Sequence, residues 1–322
     1  MNQVDTPSPG QVWARTRWNT LESGAAFDRK KQSYLAPDMK DFAEGQDFCV
    51  VSFVNDDGHV SGRLLHGGVG EFAHAPDDRH LIVRPLNRMI GELVSRKACA
   101  RSCHLALMFI EFKARKRLCV HATGRWEETE GCLALKVTQS FFHCAKYINP
   151  SHRIVRPTSS RPGMFTAAQF TMPVKHEGLV HQLADFLAEQ RLAFVCTMDR
   201  KGQCAVNHRS GKSGFISVDT VRGETRILLP DYIGNGAFEA VGNIWETGRA
   251  AVFVPDPERG YGVCVSGPAE LFDGEVLKSE PFARLPGAQR VVAIYPLNCQ
   301  VQFWSDDLFA EFVSLPTQQQ TC

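Results

Sequence analysis

The 322-residue sequence has almost no net charge, with 36 Lys and Arg against 35 Asp and Glu for a formal +1. A chain so balanced exerts no overall electrostatic pull on nucleic acid or a membrane surface, and neither is expected as a partner. It also lacks an apolar run of about 18 residues, the length a spanning helix needs. Its start, Met1-Asn2-Gln3-Val4-Asp5-Thr6-Pro7-Ser8-Pro9, has neither the basic region nor the apolar core of a signal peptide, so a cytoplasmic protein is the expectation. The 11 cysteines are an odd number without regular spacing, a poor disulfide framework. Cys49, Cys196, Cys204 and Cys264 fall inside apparent strands and read as small buried hydrophobes. Cys99, Cys103 and His104 form one tight group, with His143-Cys144 far along the chain; a zinc site needs two close pairs, so no metal is expected.

Two familiar motifs are also missing. Lys212-Ser213 after Gly211 has the end of a nucleotide-binding P-loop, but Val206 stands where the first glycine belongs. His176-Glu177 with His181 has the look of a zinc-protease helix, but the second His lies at i+5, about 140° around a helix from the first.

What is present is a repeat. The length suggests two domains. A helix-like segment from Pro37 to Glu44 leads into the apolar strand Phe48–Val54 and the turn Asn55-Asp56-Asp57-Gly58. Helix Leu179–Glu189, strand Leu192–Met198 and turn Asp199-Arg200-Lys201-Gly202 return the same succession at 202 − 58 = 144 residues. That offset aligns Asp41/Asp185, Phe42/Phe186, Gln46/Gln190, Val51/Val195, Gly67/Gly211, Gly70/Gly214, Ala106/Ala250 and Phe109/Phe253; one deleted residue then brings Val120 onto Val263 and Gly124 onto Gly267. Each unit reads as about six short strands with little helix beyond the leading one and the one before Gly91 or Gly242, a density that closes most economically into a barrel. The expected division is an arm over 1–36, extended and turning helical near Ala25 to Tyr34 with Trp13 and Trp18 as anchors, then a first barrel over 37–150, a Pro-rich linker over 151–178 and a second barrel over 179–322. The turn Lys113-Ala114-Arg115-Lys116-Arg117 reads as a solvated hairpin tip, and Phe303-Trp304 with Leu308, Phe309 and Phe312 as packing.

Within the second unit, Asn207, His208, Arg209, Ser210, Gly211, Lys212 and Ser213 put two cations, hydroxyls and a backbone-exposing glycine together, which suits a phosphate monoester. A second polar cluster, Pro230-Asp231-Tyr232-Ile233-Gly234-Asn235-Gly236, follows the strand Thr225–Leu229 and closes at Gly242-Asn243.

In the order and spacing of these pieces the chain resembles the pyridoxamine 5'-phosphate oxidase-like FMN-binding split barrels, in their tandem-repeat form, over residues 40–310. Phe142-His143-Cys144-Ala145-Lys146-Tyr147-Ile148 is similar to the segment that follows the first barrel there. The resemblance implies a mainly β protein of two tandem split β-barrels. It implies a flavin mononucleotide in a groove where they meet, with the phosphate near Arg209, Ser210, Asn235 and Asn243 and the ring against the Gly211–Gly214 backbone. By the same resemblance Pro230, Asp231 and Tyr232 are expected to line this groove, with Lys146 and Tyr147 either approaching the flavin from the first unit or packing. It further implies an oxidoreductase acting on a small-molecule substrate with a nicotinamide nucleotide or oxygen as redox partner, and exposed barrel faces make a homodimer the expectation. Two alternatives stay open: a flavin-binding or sensing protein without turnover, and a haem-binding relative with His66, His74, His104, His121 or His143 as axial ligand. Gly236 stands where related sequences carry Arg, with Lys212 or the first unit as the substitute ligand. Oxidation of pyridoxamine phosphate itself is not expected, because no second phosphate cradle is found.

Overall fold

The apolar runs 48–54 and 192–198 are strands covered on both faces, which is why they read as continuous hydrophobic stretches. The computed structural model describes residues 6–86, 103–154 and 177–303. Asn87-Arg88, Gly91, Cys99, the linker prolines from Pro157 to Pro173, His176 and everything from Trp304 onward lie outside the described residues. In chain order the elements are α1 (Pro9–Arg17), α2 (Leu21–Asp28), α3 (Pro37–Glu44), β1 (Phe48–Val54), β2 (Val60–His66), β3 (Ala73–His74), β4 (His80–Val83), β5 (Cys103–Glu111), β6 (Lys116–Glu127) and β7 (Cys132–Phe142). After the linker come α4 (Glu177–Glu189), β8 (Leu192–Met198), β9 (Cys204–Ser210), β10 (Ser217–Val221), β11 (Glu224–Asp231), α5 (Glu239–Thr247), β12 (Arg249–Asp256), β13 (Tyr261–Asp273), β14 (Arg290–Ile294) and β15 (Asn298–Phe303).

The strands make two antiparallel sheets, so the protein is mainly β. The first has the order β2-β1-β5-β6-β7-β4-β3; the second, read from its matching edge, is β9-β8-β12-β13-β14-β11-β10, with β15 also on β13. Replacing each strand of the first unit by its counterpart turns one order into the other. The sheets hold seven and eight strands, more than the six expected. β14 and β15 share the place of β7, which pairs along β6 across an irregularity at His121/Ala122. The duplication therefore stands on topology as well as on spacing.

Pairing register corrects the alignment in its second half. Val51 faces Leu107 and Val195 faces Val252, so β1 and β8 differ by 144 but β5 and β12 by 145. Leu107 and Val252 point into their own cores, whereas Ala106 and Ala251 face the other unit. The identities Ala106/Ala250 and Phe109/Phe253 are one residue out of phase. Val120 and Val265, paired with Leu107 and Val252, are the true counterparts, and no residue is deleted.

Each sheet curls about its own core. Leu65 of β2 and Ala73 of β3, at opposite edges, bury in one cluster with Phe72, Phe109 and Val120. Among the described residues no pairing joins β2 to β3, so each barrel is split rather than closed. The turn glycines do what the repeat implied: Gly58 and Gly202 have φ of 75° and 78°, the left-handed region a tight hairpin uses. A third apolar cluster joins the units, with Val50, Leu64, Ala106 and Met108 meeting Phe194, Val206, Ala251 and Phe253. Gly62 makes room for it, since a Cβ there would lie 2.9 Å from that of Phe253.

The amino-terminal arm is not extended. Ser8 caps α1 through a capping box with Gln11, and α1 lies against α5 with Trp13 stacked on Trp245 at 5.0 Å. The helix expected near Ala25 to Tyr34 is α2, which ends at Asp28. The helix expected to precede Gly242 instead runs through it.

Candidate ligand cleft between the two units

Where the end of β9 and the start of α5 face the start of β6, the units leave a cleft of about 100 Å³. The second unit contributes Asn207, His208, Arg209, Ser210, Asp231, Tyr232, Asn235, Glu239 and Arg290; the first contributes Arg117, His143, Cys144 and Tyr147. Eight of the residues singled out from sequence thus lie together. The other six do not. Pro230 is buried in β11 opposite Val291. Gly211 packs against Phe215, Lys212 is exposed, and Ser213 accepts from Arg191 Nε at 2.9 Å. Asn243 donates to Thr197 Oγ1 at 3.1 Å, and Lys146 donates to the Ile233 carbonyl at 3.1 Å.

The cations are unequally partnered. Arg209 and Arg290 share the Asp231 carboxylate at 3.0 and 2.7 Å, and Arg290 also lies over the rings of Trp18 and Phe238. Arg117 is buried, and among the described residues it has no carboxylate partner; its Nη1 donates to His208 Nδ1 at 2.7 Å. Burial pushes its guanidinium down to about 10; Cys144 offsets part of this and Arg209 adds to it. A guanidinium only donates, so His208 Nδ1 holds the lone pair and Nε2 carries the proton. Both that Nε2 and Arg117 Nε have no hydrogen-bond partner among the described residues. Burial, then Arg117 and Arg209, hold His208 well below the usual histidine range, and burial with Arg117 takes half-buried His143 to about 3. The cleft thus holds two donors, Arg117 Nε and His208 Nε2, without an acceptor among the described residues, beside the carboxylates of Asp231 and Glu239 and the unpaired acceptor Asn207 Oδ1.

Glu239 begins α5, whose Ncap Phe238 supplies no side-chain cap. Burial alone would raise its carboxyl, but His121 at 3.2 Å, with Lys31 and His143, holds it at about 2; Asn207 Nδ2 also donates to it at 3.3 Å. Beyond Glu239 lies a larger cavity, about 370 Å³, lined by Lys31, His104, His121, Gln139, Asn243 and the strap Thr6–Pro9. Of the other histidines proposed as axial ligands, His66 is buried in β2 and exposed His74 pairs with Glu44 at 3.0 Å.

Gly236 has a structural reason. Its φ is +76°, and a Cβ would sit 2.6 Å from Ser23 Oγ. The arginine near this turn comes from α1, where Arg15 donates to the Gly236 carbonyl at 2.9 Å while its other nitrogens hold Asp28.

Arg117, Glu239, Arg290 and Cys144 were missed from sequence. Arg117 looked like a hairpin-tip charge, but it is in phase with Cys119 and His121 on a face of β6 that the second unit covers. That phase was legible; that the face is buried was not.

No family model matches the sequence, and no curated protein matches it. The structure is similar to HupZ of Group A Streptococcus (19% identity, TM-score 0.30, covering 42% of this chain and 97% of that one). It is also similar to a putative pyridoxamine 5'-phosphate oxidase of Lactobacillus delbrueckii (20%, 0.27, 36% and 89%). A third likeness is to General Stress Protein 26 of Bacillus anthracis (12%, 0.27, 42% and 98%).

Proposed function

We propose that this chain binds a small anionic molecule in the cleft between its two units. One observation supports the reading above others: Arg117 is a buried cation paired with no carboxylate among the described residues and hydrogen-bonded to a neutral histidine. An uncompensated buried charge is costly, and a bound anion offsets that cost while accepting from Arg117 Nε and His208 Nε2. Charge-assisted bonds of this kind contribute about 1.5–3 kcal/mol each.

The donor set fits one anionic group but not the whole of flavin mononucleotide. A phosphate at the start of α5 would meet the Glu239 carboxylate, and Arg209 with Arg290 is already occupied by Asp231. The volume of about 100 Å³ is also below the ~300–1,000 Å³ of pockets that enclose cofactor-sized ligands. The flavin reading therefore enters as an arm of the test, and no redox step is derived from it.

The test is calorimetric titration of the purified protein with inorganic phosphate and with small mono- and dicarboxylates. Binding is expected, and Arg117→Gln should weaken it at least ~10-fold, in keeping with loss of one charge-assisted bond. Equal affinity in wild type and variant would sink the assignment. Flavin absorbance near about 370 and 450 nm, or a Soret band near about 400 nm, in the protein as purified would overturn the size argument and restore a cofactor.

A further inference from the structure

We propose that Cys144 is a covalent modification site in this cleft, forming a mixed disulfide with low-molecular-weight disulfides that carry carboxylates. The inference rests on the anion-binding reading of Arg117. Among the described cysteines Cys144 is the exposed one; Cys103 is partly covered and the other seven are buried. Burial pushes thiols such as Cys49, Cys119 and Cys196 well up, which leaves them protonated and inert.

The position of Cys144 is built. The His143 amide donates to the Arg117 carbonyl at 3.1 Å, which carries the end of β7 alongside the start of β6 and sets Cys144 beside the guanidinium. The following residues are tied down: Arg115 donates to the Ala145 carbonyl at 3.2 Å, and the Tyr147 hydroxyl donates to the Ile233 carbonyl at 2.8 Å. The thiol is thereby held at the cleft rather than on a free loop. A second, independent feature marks an anion's place next to it. Arg117 and His208 are 7% and 5% exposed, line the same cleft, and have Nε and Nε2 without partners among the described residues.

In the reaction, Cys144 gives its proton to solvent and the thiolate attacks one sulfur of the incoming disulfide. That S–S bond breaks, a new one forms to Cys144, and the other half leaves as a thiolate that takes up a proton. The thiolate lone pair becomes the new bond and the pair of the old S–S bond departs with the leaving half, so the Cys144 sulfur is oxidised to the same extent as the leaving sulfur is reduced, and a small thiol reverses the step. A carboxylate on the retained half meets Arg117. That carboxylate takes the anion's place beside Arg117 while the rest of the adduct extends from exposed Cys144, so modification and anion binding exclude one another.

The experiment uses the full chain and three reagents: 5,5'-dithiobis(2-nitrobenzoate) and oxidised glutathione, which carry carboxylates, and cystamine, which carries ammonium groups. Peptide mass mapping reads the rate at each cysteine, Cys99 and Cys322 included. At low salt the anionic-to-cationic rate ratio at Cys144 should exceed that of free cysteine at least ~10-fold. It should fall toward the free value in Arg117→Gln, and in wild type as ~1 M salt screens the charge. An unmodified Cys144, or a wild-type ratio equal to that of free cysteine, overturns the proposal. The salt series keeps this true even if Arg117→Gln does not fold. If phosphate binding depends on Arg117 but the ratio does not, Cys144 alone fails; if neither depends on it, the anion site fails as well.

Discussion

His208 accepts from Arg117 at 2.7 Å and lies behind Phe112 and Phe194, so protonation would set two cations together in a dry place. Its folded pKa lies well below the unfolded value of about 6.5. The sign follows: as pH falls through about 6.5 the unfolded chain takes up the proton and the folded one does not, so stability present above that pH is lost. His143, held at about 3, contributes a loss over the same range with the same sign, so the two histidines add. Thermal melts between about pH 6.5 and about pH 5 check it, and His208→Gln should make the dependence shallower without removing it; an identical slope in the variant would count against the neutral histidine. At the same scale Arg209 and Arg117 separate. Arg209→Ala leaves Asp231 with Arg290, so it should lower phosphate affinity less than Arg117→Gln does. Titration of the two variants decides the order, and the reverse order would return the anchor to Arg209.

Helix α1 reaches α5 because two glycines meet. A Cβ on Gly10 would lie 2.1 Å from the Gly242 carbonyl oxygen, and one on Gly242 would lie 2.6 Å from the Gln11 amide nitrogen. Glu246 also accepts from the Gly10 amide at 2.7 Å. Gly242→Ala should therefore cost about 1–3 kcal/mol through displacement of α1. Ser8→Ala, which removes only the cap, should cost about 1 kcal/mol. Limited proteolysis should cut the amino-terminal arm faster in the first variant than in the second. Sequence placed this element least well. Trp13 and Trp18 were visible as anchors, but their partners Trp245 and Phe238 lie more than 200 residues away, and no local period encodes that contact. By contrast β1 and β8 were read to the residue, because a strand covered on both faces announces itself as an uninterrupted apolar run.

The two units share a core, and the molecule should behave accordingly. Phe253 is fully buried between Gly62 and the strands of its own sheet, so Phe253→Ala should cost about 3–5 kcal/mol. Because the cluster belongs to both units, the loss should shift one cooperative unfolding transition rather than split it. Calorimetry showing two transitions, only one of them moved, would mean that the units fold independently. The duplication also explains why a pseudo-symmetric pair of barrels has an unsymmetric cleft. At the positions of Asn207, His208 and Ser210 the first unit has Arg63, Leu64 and His66, and Gln302 closes on Leu64 through its backbone.

Sequence alone determined the repeat, the β class, the leading strands with their glycine turns, and the two polar clusters whose Asn207–Ser210, Asp231, Tyr232 and Asn235 line the cleft, because these depend on short-range periodicity and on where φ is positive. Only the tertiary structure decided which charges are left over. Arg209 was the expected anchor and shares the Asp231 carboxylate with Arg290; Arg117 passed for a solvated tip and is a buried cation with no carboxylate partner among the described residues. Whether a charge is solvated, paired or stranded depends on what the other unit places against it, and that contact spans 91 residues between Arg117 and His208.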